Sequence, residues 1–214
     1  MNEMSQLRES ICALARSLFE RGLTHGGTGN ISARLADGGL LVTPSGSSLG
    51  RLDPARLSHI SPDGGLVAGD KPTKEMPMHQ AFYNTRPQTN AVVHLHSCYS
   101  VALSTLPVAD PDNMLVPLTP YCIMQLGKVK LLPYFLPGAP EIGEAIRALE
   151  GKYAAVMLAN HGPVVTGKSL DAAVNAAEEL EASAKLAVLT RSLNPTQLTS
   201  SQIKMIVNSF EVDW

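Results

Sequence analysis

Two histidines one residue apart, His94 and His96, close the apolar stretch Ala91-Val92-Val93-His94-Leu95-His96-Ser97. Pro87 and Asn90 stand just before it, so the stretch reads as a short buried strand. Alternate residues of a strand share a face, which aims both imidazoles the same way, close enough to share one metal ion. Each could equally be a satisfied core histidine. A second apolar run, Ala154 to Ala159, ends in Asn160-His161-Gly162-Pro163 and repeats the arrangement. Three imidazoles, His94, His96 and His161, make a zinc-type ligand set with a fourth position open, which suits catalysis rather than structure. Such an ion polarises a carbonyl or stabilises an enediolate. Manganese or cobalt would also suit an N/O site of this kind.

The densest polar stretch is Lys71-Pro72-Thr73-Lys74-Glu75-Met76-Pro77-Met78-His79. Pro77 suits the first turn of a helix that Pro87 ends near Arg86. Thr73, Lys74 and Glu75 then lie at a loop-to-helix junction, where unpaired N–H groups favour anions. Glu75 is either a helix N-terminal carboxylate or a proton carrier next to the metal. His79 falls one turn into the helix, packed in it or touching the site. Two further loops, His25-Gly26-Gly27-Thr28-Gly29-Asn30 and Thr43-Pro44-Ser45-Gly46-Ser47-Ser48, offer bare N–H groups and hydroxyls. Each alone is a phosphate cradle or a plain turn. Taken together, Gly27 to Asn30, Ser45-Gly46 and Thr73-Lys74 point to a small phosphorylated or carboxylated substrate. His59 reads as a surface or strand histidine without a role.

The elements that must hold these residues follow from periodicity. Leu7, Ile11, Leu14 and Leu18 mark one face of a helix over 3–21, stopped by Gly22. Ile31–Leu35 and Leu40–Thr43 form a hairpin around Asp37-Gly38-Gly39, and His59–Ser61 with Gly65–Val67 form another. Cys98 to Leu106 reads as a helix, Pro107 to Pro120 as irregular, Tyr121 to Leu126 as a short apolar segment and Lys128 to Leu132 as a strand. Pro140 opens a helix. Ser169 caps the longest one, which runs to about Leu193 with Glu178, Glu179 and Glu181 on a solvated face. Thr199 and Gln202 have capping-box spacing and open a last helix through Val207. The expectation is a single α/β domain over residues 1–214, with a central mixed or antiparallel sheet covered by helices.

Of 214 residues, 44% are hydrophobic and 17% charged, an ordinary globular balance with net charge −2. The basic residues are scattered, which argues against a nucleic-acid partner. No apolar run approaches the roughly 18 residues of a membrane span, and no signal pattern opens the chain. Cys12, Cys98 and Cys122 fit neither a disulfide framework nor a Cys-x-x-Cys zinc site and suit a cytoplasmic location.

Gly27-Thr28-Gly29-Asn30-Ile31-Ser32, Thr43-Pro44-Ser45-Gly46, Glu75, His94-x-His96 and Asn160-His161-Gly162 occur in the order and spacing of the class II aldolase/adducin family, which the chain resembles from about residue 5 to 193. The resemblance implies an α/β/α sandwich of the nine-stranded type around a mainly antiparallel sheet, and a homotetramer with sites at subunit interfaces. It implies one divalent ion per subunit, of zinc type, on His94, His96 and His161. Glu75 would be the catalytic acid/base, also able to approach the metal. Asn30, Ser45, Gly46 and Thr73 would bind the substrate phosphate, with Thr28, Gly29 and Lys74 completing the phosphate- or substrate-binding set. A tyrosine from a neighbouring subunit would assist, with Tyr121 the best match and Tyr134 the runner-up. Aldolase-like members have Ser-Ser-Glu where this chain has Thr73-Lys74-Glu75. The added lysine suits a substrate carrying both phosphate and carboxylate. The chain thereby resembles the branch of 3-oxo-tetronate 4-phosphate decarboxylases, which release CO2 through an enediolate. A sugar-phosphate aldolase, a pentulose-phosphate 4-epimerase and a non-catalytic adducin-like module are the alternatives.

Overall fold

The structure, a computed structural model, describes residues 3–214. Along the chain run α1 (Glu3–Glu20), β1 (Asn30–Arg34), β2 (Leu40–Val42), β3 (Ser58–Ile60), β4 (Leu66–Ala68), α2 (Met76–Thr85) and β5 (Ala91–His94). There follow α3 (Cys98–Ser104), α4 (Pro120–Leu126), β6 (Val129–Leu132), α5 (Pro140–Arg147), β7 (Ala155–Leu158), β8 (Gly162–Gly167), α6 (Leu170–Thr190) and α7 (Ser200–Phe210). The strands form one sheet in the order β4-β3-β2-β1-β5-β8-β7-β6. Every neighbouring pair is antiparallel except β6 with β7. This is the expected mainly antiparallel α/β architecture. Among the described residues it has eight strands, one fewer than the resemblance implies.

Apolar residues cover both faces of the central strands, so each face takes a layer of helices. Ile31, Ala33, Ala91, Val93 and Val165 join one core with Ile11 and Leu18 of α1 and Leu180 and Ala184 of α6. Val42, Val92, Val156 and Val164 join the other with Met78 and Phe82 of α2 and Ile142 and Ile146 of α5. Strand parity then places the polar residues. In β5, Val92 faces α2, so His94 does too. In β1, Ile31 and Ala33 face α1 and α6, so Asn30 and Ser32 face α2. The register sets Asn30 opposite His94 and Ser32 opposite Val92.

Several boundaries differ from the sequence reading. β5 stops at His94, so His96 lies just beyond the strand. Asn30 and Val164 are the last partners there, and only the longer Leu95 N–H to Pro163 carbonyl bond (3.3 Å) follows. The apolar segment at Tyr121 is a full helix, α4, whose N-terminus is capped by the Thr119 hydroxyl. α6 ends at Thr190, before Leu193, and α7 continues past Val207 to Phe210.

Candidate metal centre

The antiparallel β5–β8 pairing carries the end of one apolar strand to the start of another. The turn before β8 is closed by His161 N–H to the Leu158 carbonyl (3.2 Å), with Asn160 in the left-handed region (φ 54°). The turn delivers His161 beside His94 and His96. The three ring centroids are 4.8–4.9 Å apart and the rings stand edge to face, at 66–86°. His94 Nε2 and His96 Nε2 are 3.0 Å apart.

Glu75 stands at the N-cap position of α2, its side chain making no capping hydrogen bond, and is buried at 5% exposure. Its Oε2 accepts from Asn30 Nδ2 (2.7 Å) and lies 3.4 Å from His94 Nε2. Its Oε1 lies 3.6 Å from His161 Nε2. Asn30 reaches Glu75 because β1 begins directly after Gly29 (φ +80°), where a Cβ would come within 2.9 Å of the His94 carbonyl.

These residues fit a divalent ion by their donor chemistry. His94 Nδ1–H donates to the Pro163 carbonyl (2.9 Å), which leaves the Nε2 lone pair for the centre of the cluster. His161 Nδ1 and Nε2 and Glu75 Oε1 are buried without a partner. Native proteins rarely leave such groups unpaired without a reason. One ligand atom from each histidine lies within 4.8 Å of the others. Three imidazoles with a carboxylate alongside are the donor set that zinc-type ions take.

Electrostatics keep His96 and His161 neutral. Burial, then the neighbouring His94 and His161, push His96 down to about 3 against the pull of Glu75. Burial and His94 push His161 down to about 4. Burial alone would raise the carboxyl of Glu75. His94, the Asn30 hydrogen bond, His161 and His79 outweigh it and hold Glu75 below the usual carboxylate range. His96 and His161 are therefore unprotonated and Glu75 is an ionised carboxylate at neutral pH.

Residues 9–188 match the family model described as the class II aldolase and adducin N-terminal domain. The chain belongs to the class II aldolase/adducin family. It is 48% identical to the 3-oxo-tetronate 4-phosphate decarboxylase of Haemophilus influenzae over 97% of this chain and 99% of that protein. The crystal structure of YgbL from Escherichia coli superposes with a TM-score of 0.93 at 44% identity, covering 96% of this chain and 99% of that one. An L-fuculose 1-phosphate aldolase structure superposes at 0.85 with 27% identity, covering 96% of each chain.

Within this class II aldolase fold the remaining sequence candidates take different places. Thr28 turns its hydroxyl onto its own loop, donating to the His25 carbonyl (2.6 Å). Gly27 abuts Gly46, so the two glycine loops meet. Ser45 spends its N–H on the Lys71 carbonyl (2.9 Å), leaving its side chain exposed. Ser45 and Gly46 line a cavity of about 240 Å³ with Arg51 and Arg56. Thr73 is buried and its hydroxyl accepts from Glu75 N–H (3.3 Å). Lys74 is exposed, packs its stem on Gly138 and lies close enough to His161 to disfavour its protonated form. Tyr121 is 59% exposed and lines a separate cavity of about 640 Å³ that no histidine of its own chain borders. Tyr134 is also exposed, in the loop before Gly138. His59 sits on β3, outside the cluster.

One feature, the role of Glu181, escaped the sequence reading, and a second, the place of His79, was left open by it. Glu181 is not merely a solvated residue of α6. It accepts from Tyr99 N–H and Ser100 N–H (both 2.8 Å) and from the Ser100 hydroxyl (2.7 Å), anchoring α3 just after His96. His79 is fully buried, and its Nε2 contacts Asn30 Oδ1 at 2.5 Å. The side-chain amide of Asn30 is therefore engaged on both sides, by Glu75 and by His79.

Proposed function

We propose that the chain decarboxylates 3-oxo-tetronate 4-phosphate to dihydroxyacetone phosphate and CO2. The observation that carries this reading is the approach of Glu75 to His94, His96 and His161, in a chain 48% identical to a decarboxylase of that substrate over nearly the whole of both. In the substrate the carboxylate is β to the C3 ketone. The C1–C2 bond breaks, its electron pair moves to C2 and into the C3 carbonyl, CO2 leaves, and one proton is added at C2.

A divalent ion on His94, His96 and His161, for which zinc is our choice, supplies Lewis-acid stabilisation of the charge that develops on substrate oxygen. The chain's own groups do the rest. The exposed Lys74 ammonium draws the anionic substrate towards the cluster. The loops at Thr28-Gly29, Ser45-Gly46 and Thr73 supply the N–H groups and hydroxyls that suit a phosphate. Glu75, ionised in the free protein, takes up a solvent proton and passes it to C2. Tyr121 serves the site of a neighbouring copy in a homotetramer, a role supported by its exposure beside an open cavity away from its own histidines. A reducing cytoplasm suits the three free cysteines. Among the described residues no helix is long and apolar enough to cross a membrane.

The test is product analysis with metal-loaded protein and substrate generated in situ. CO2 and dihydroxyacetone phosphate should appear in equal amounts and vanish with a chelator. Neither appearing, from protein that still holds its metal, would overturn the reading and favour an aldolase or epimerase.

A further inference from the structure

Glu75, His79 and Tyr83 stand at i, i+4 and i+8, one stripe of α2 and its cap. Asn30 and Ser32 stand at i and i+2 on the face of β1 turned to that stripe. The two rows interlock into a single hydrogen-bonded chain. Tyr83 Oη meets Ser32 Oγ at 2.8 Å, and Ser32 Oγ meets His79 Nδ1 at 2.7 Å. His79 Nε2 meets Asn30 Oδ1 at 2.5 Å, and Asn30 Nδ2 meets Glu75 Oε2 at 2.7 Å. All five residues are buried.

Donor and acceptor chemistry gives this chain one direction. An ionised carboxylate only accepts, so Asn30 turns its NH2 to Glu75 and its carbonyl to His79. That carbonyl only accepts, so His79 carries its proton on Nε2. Nδ1 then accepts from the Ser32 hydroxyl, which in turn accepts from the Tyr83 phenol. Run the other way, the chain would leave the phenol proton with no acceptor in a buried place, a costly outcome.

The two oxygens of Glu75 are thereby made different. Oε2 is tied to Asn30, whereas Oε1 is buried without a partner and faces His161. We propose that His79, backed by Ser32 and Tyr83, is a positioning residue that locks the Asn30 amide, ties down Glu75 Oε2 and leaves Oε1 as the oxygen that delivers the proton to C2. The proposal rests on the reading of Glu75 as the proton carrier. The Oε1–H bond breaks as the C2–H bond forms, and Oε1 regains a proton from solvent. An Asn30 free to rotate would set its own carbonyl against Oε2, two acceptors in contact, and the carboxylate would lose its orientation.

Two measurements on the metal-loaded protein test this. In ¹⁵N-histidine-labelled wild type, the ring whose signals disappear in His79→Phe should carry its proton on Nε2 with Nδ1 bare at neutral pH. The opposite tautomer, or a cation, would overturn the proposal. Turnover in D2O should place one deuteron on the carbon that lost CO2, in one configuration. In His79→Phe, kcat should fall about tenfold with KM nearly unchanged, and the deuteron should appear in both configurations. Tyr83→Phe should move the same way by less. Folded variants that keep wild-type kcat and a single configuration would overturn it. If His79→Phe does not fold, the ring tautomer, assigned by proximity to Asn30, and Tyr83→Phe decide. The underlying reading fails separately, if wild type releases no CO2 or Glu75→Gln turns over normally.

Discussion

The backbone of Gly162 lies so close to that of Leu95 that a Cβ on Gly162 would sit 2.3 Å from the Leu95 carbonyl oxygen. Leu95 separates His94 from His96, and Gly162 follows His161. The contact therefore presses the third imidazole against the first two. Gly162→Ala must push β8 away from β5. We expect a stability loss of about 2–4 kcal/mol and less than one metal ion per chain. Thermal unfolding and elemental analysis check both, and an unchanged midpoint with full metal would show that the contact does not set His161.

Removing one imidazole leaves two donors and an unsatisfied carboxylate around the same space. His96→Ala should lose metal and activity together, while the fold survives because His96 is only partly buried beyond the end of β5. Metal retained at full stoichiometry after dialysis would remove His96 from the ligand set.

Acid should weaken the metal-free fold through its buried histidines. Burial and the neighbouring His94 push His79 down from 6.5 to about 3 in the folded chain. Between those values the unfolded chain binds a proton that the folded one refuses. The contribution is complete above pH 6.5 and is lost as pH falls towards 3, by about 1.4 kcal/mol per pH unit. His96 and His161 act with the same sign. Urea titrations across this range should show a shallower pH dependence in His79→Phe than in wild type. Equal slopes would mean that His79 is not held neutral.

Lys74 brings a cation beside a cluster that otherwise carries one carboxylate. Lys74→Ser should lower kcat/KM for the carboxylated substrate by about ten- to a hundredfold, and damage a simple aldol substrate less. Equal losses on both would show that Lys74 does not serve the carboxylate.

The four groups of the centre could be read from the chain because each lies at or within two residues of the end of an element with a plain signal. His94 and His161 close or follow apolar runs, and Glu75 precedes a helix-starting Pro77. Asn30 was harder. Its glycine loop suggests a phosphate, and only the strand register, Asn30 opposite His94, shows its amide engaged with Glu75 and His79. The Glu75-x3-His79-x3-Tyr83 stripe and Asn30-x-Ser32 were visible as spacings. Which helix meets which strand face is a tertiary fact that neither spacing contains. Glu181 was hidden for the same reason, since its partners lie 81 and 82 positions away.

The sheet order places β5 between β1 and β8, although β8 lies far downstream of both in the chain. A nascent polypeptide thus emerges with Glu75, His94 and His96 already made, and with β1 there to pair with β5, but without the strand that β5 needs on its other edge. The ion-holding pocket closes only after the ribosome has released residues as late as Gly167, the last β8 residue paired with β5. A truncation before His161 therefore removes far more than one imidazole: it takes away the whole of β8, the strand on which both β5 and β7 pair.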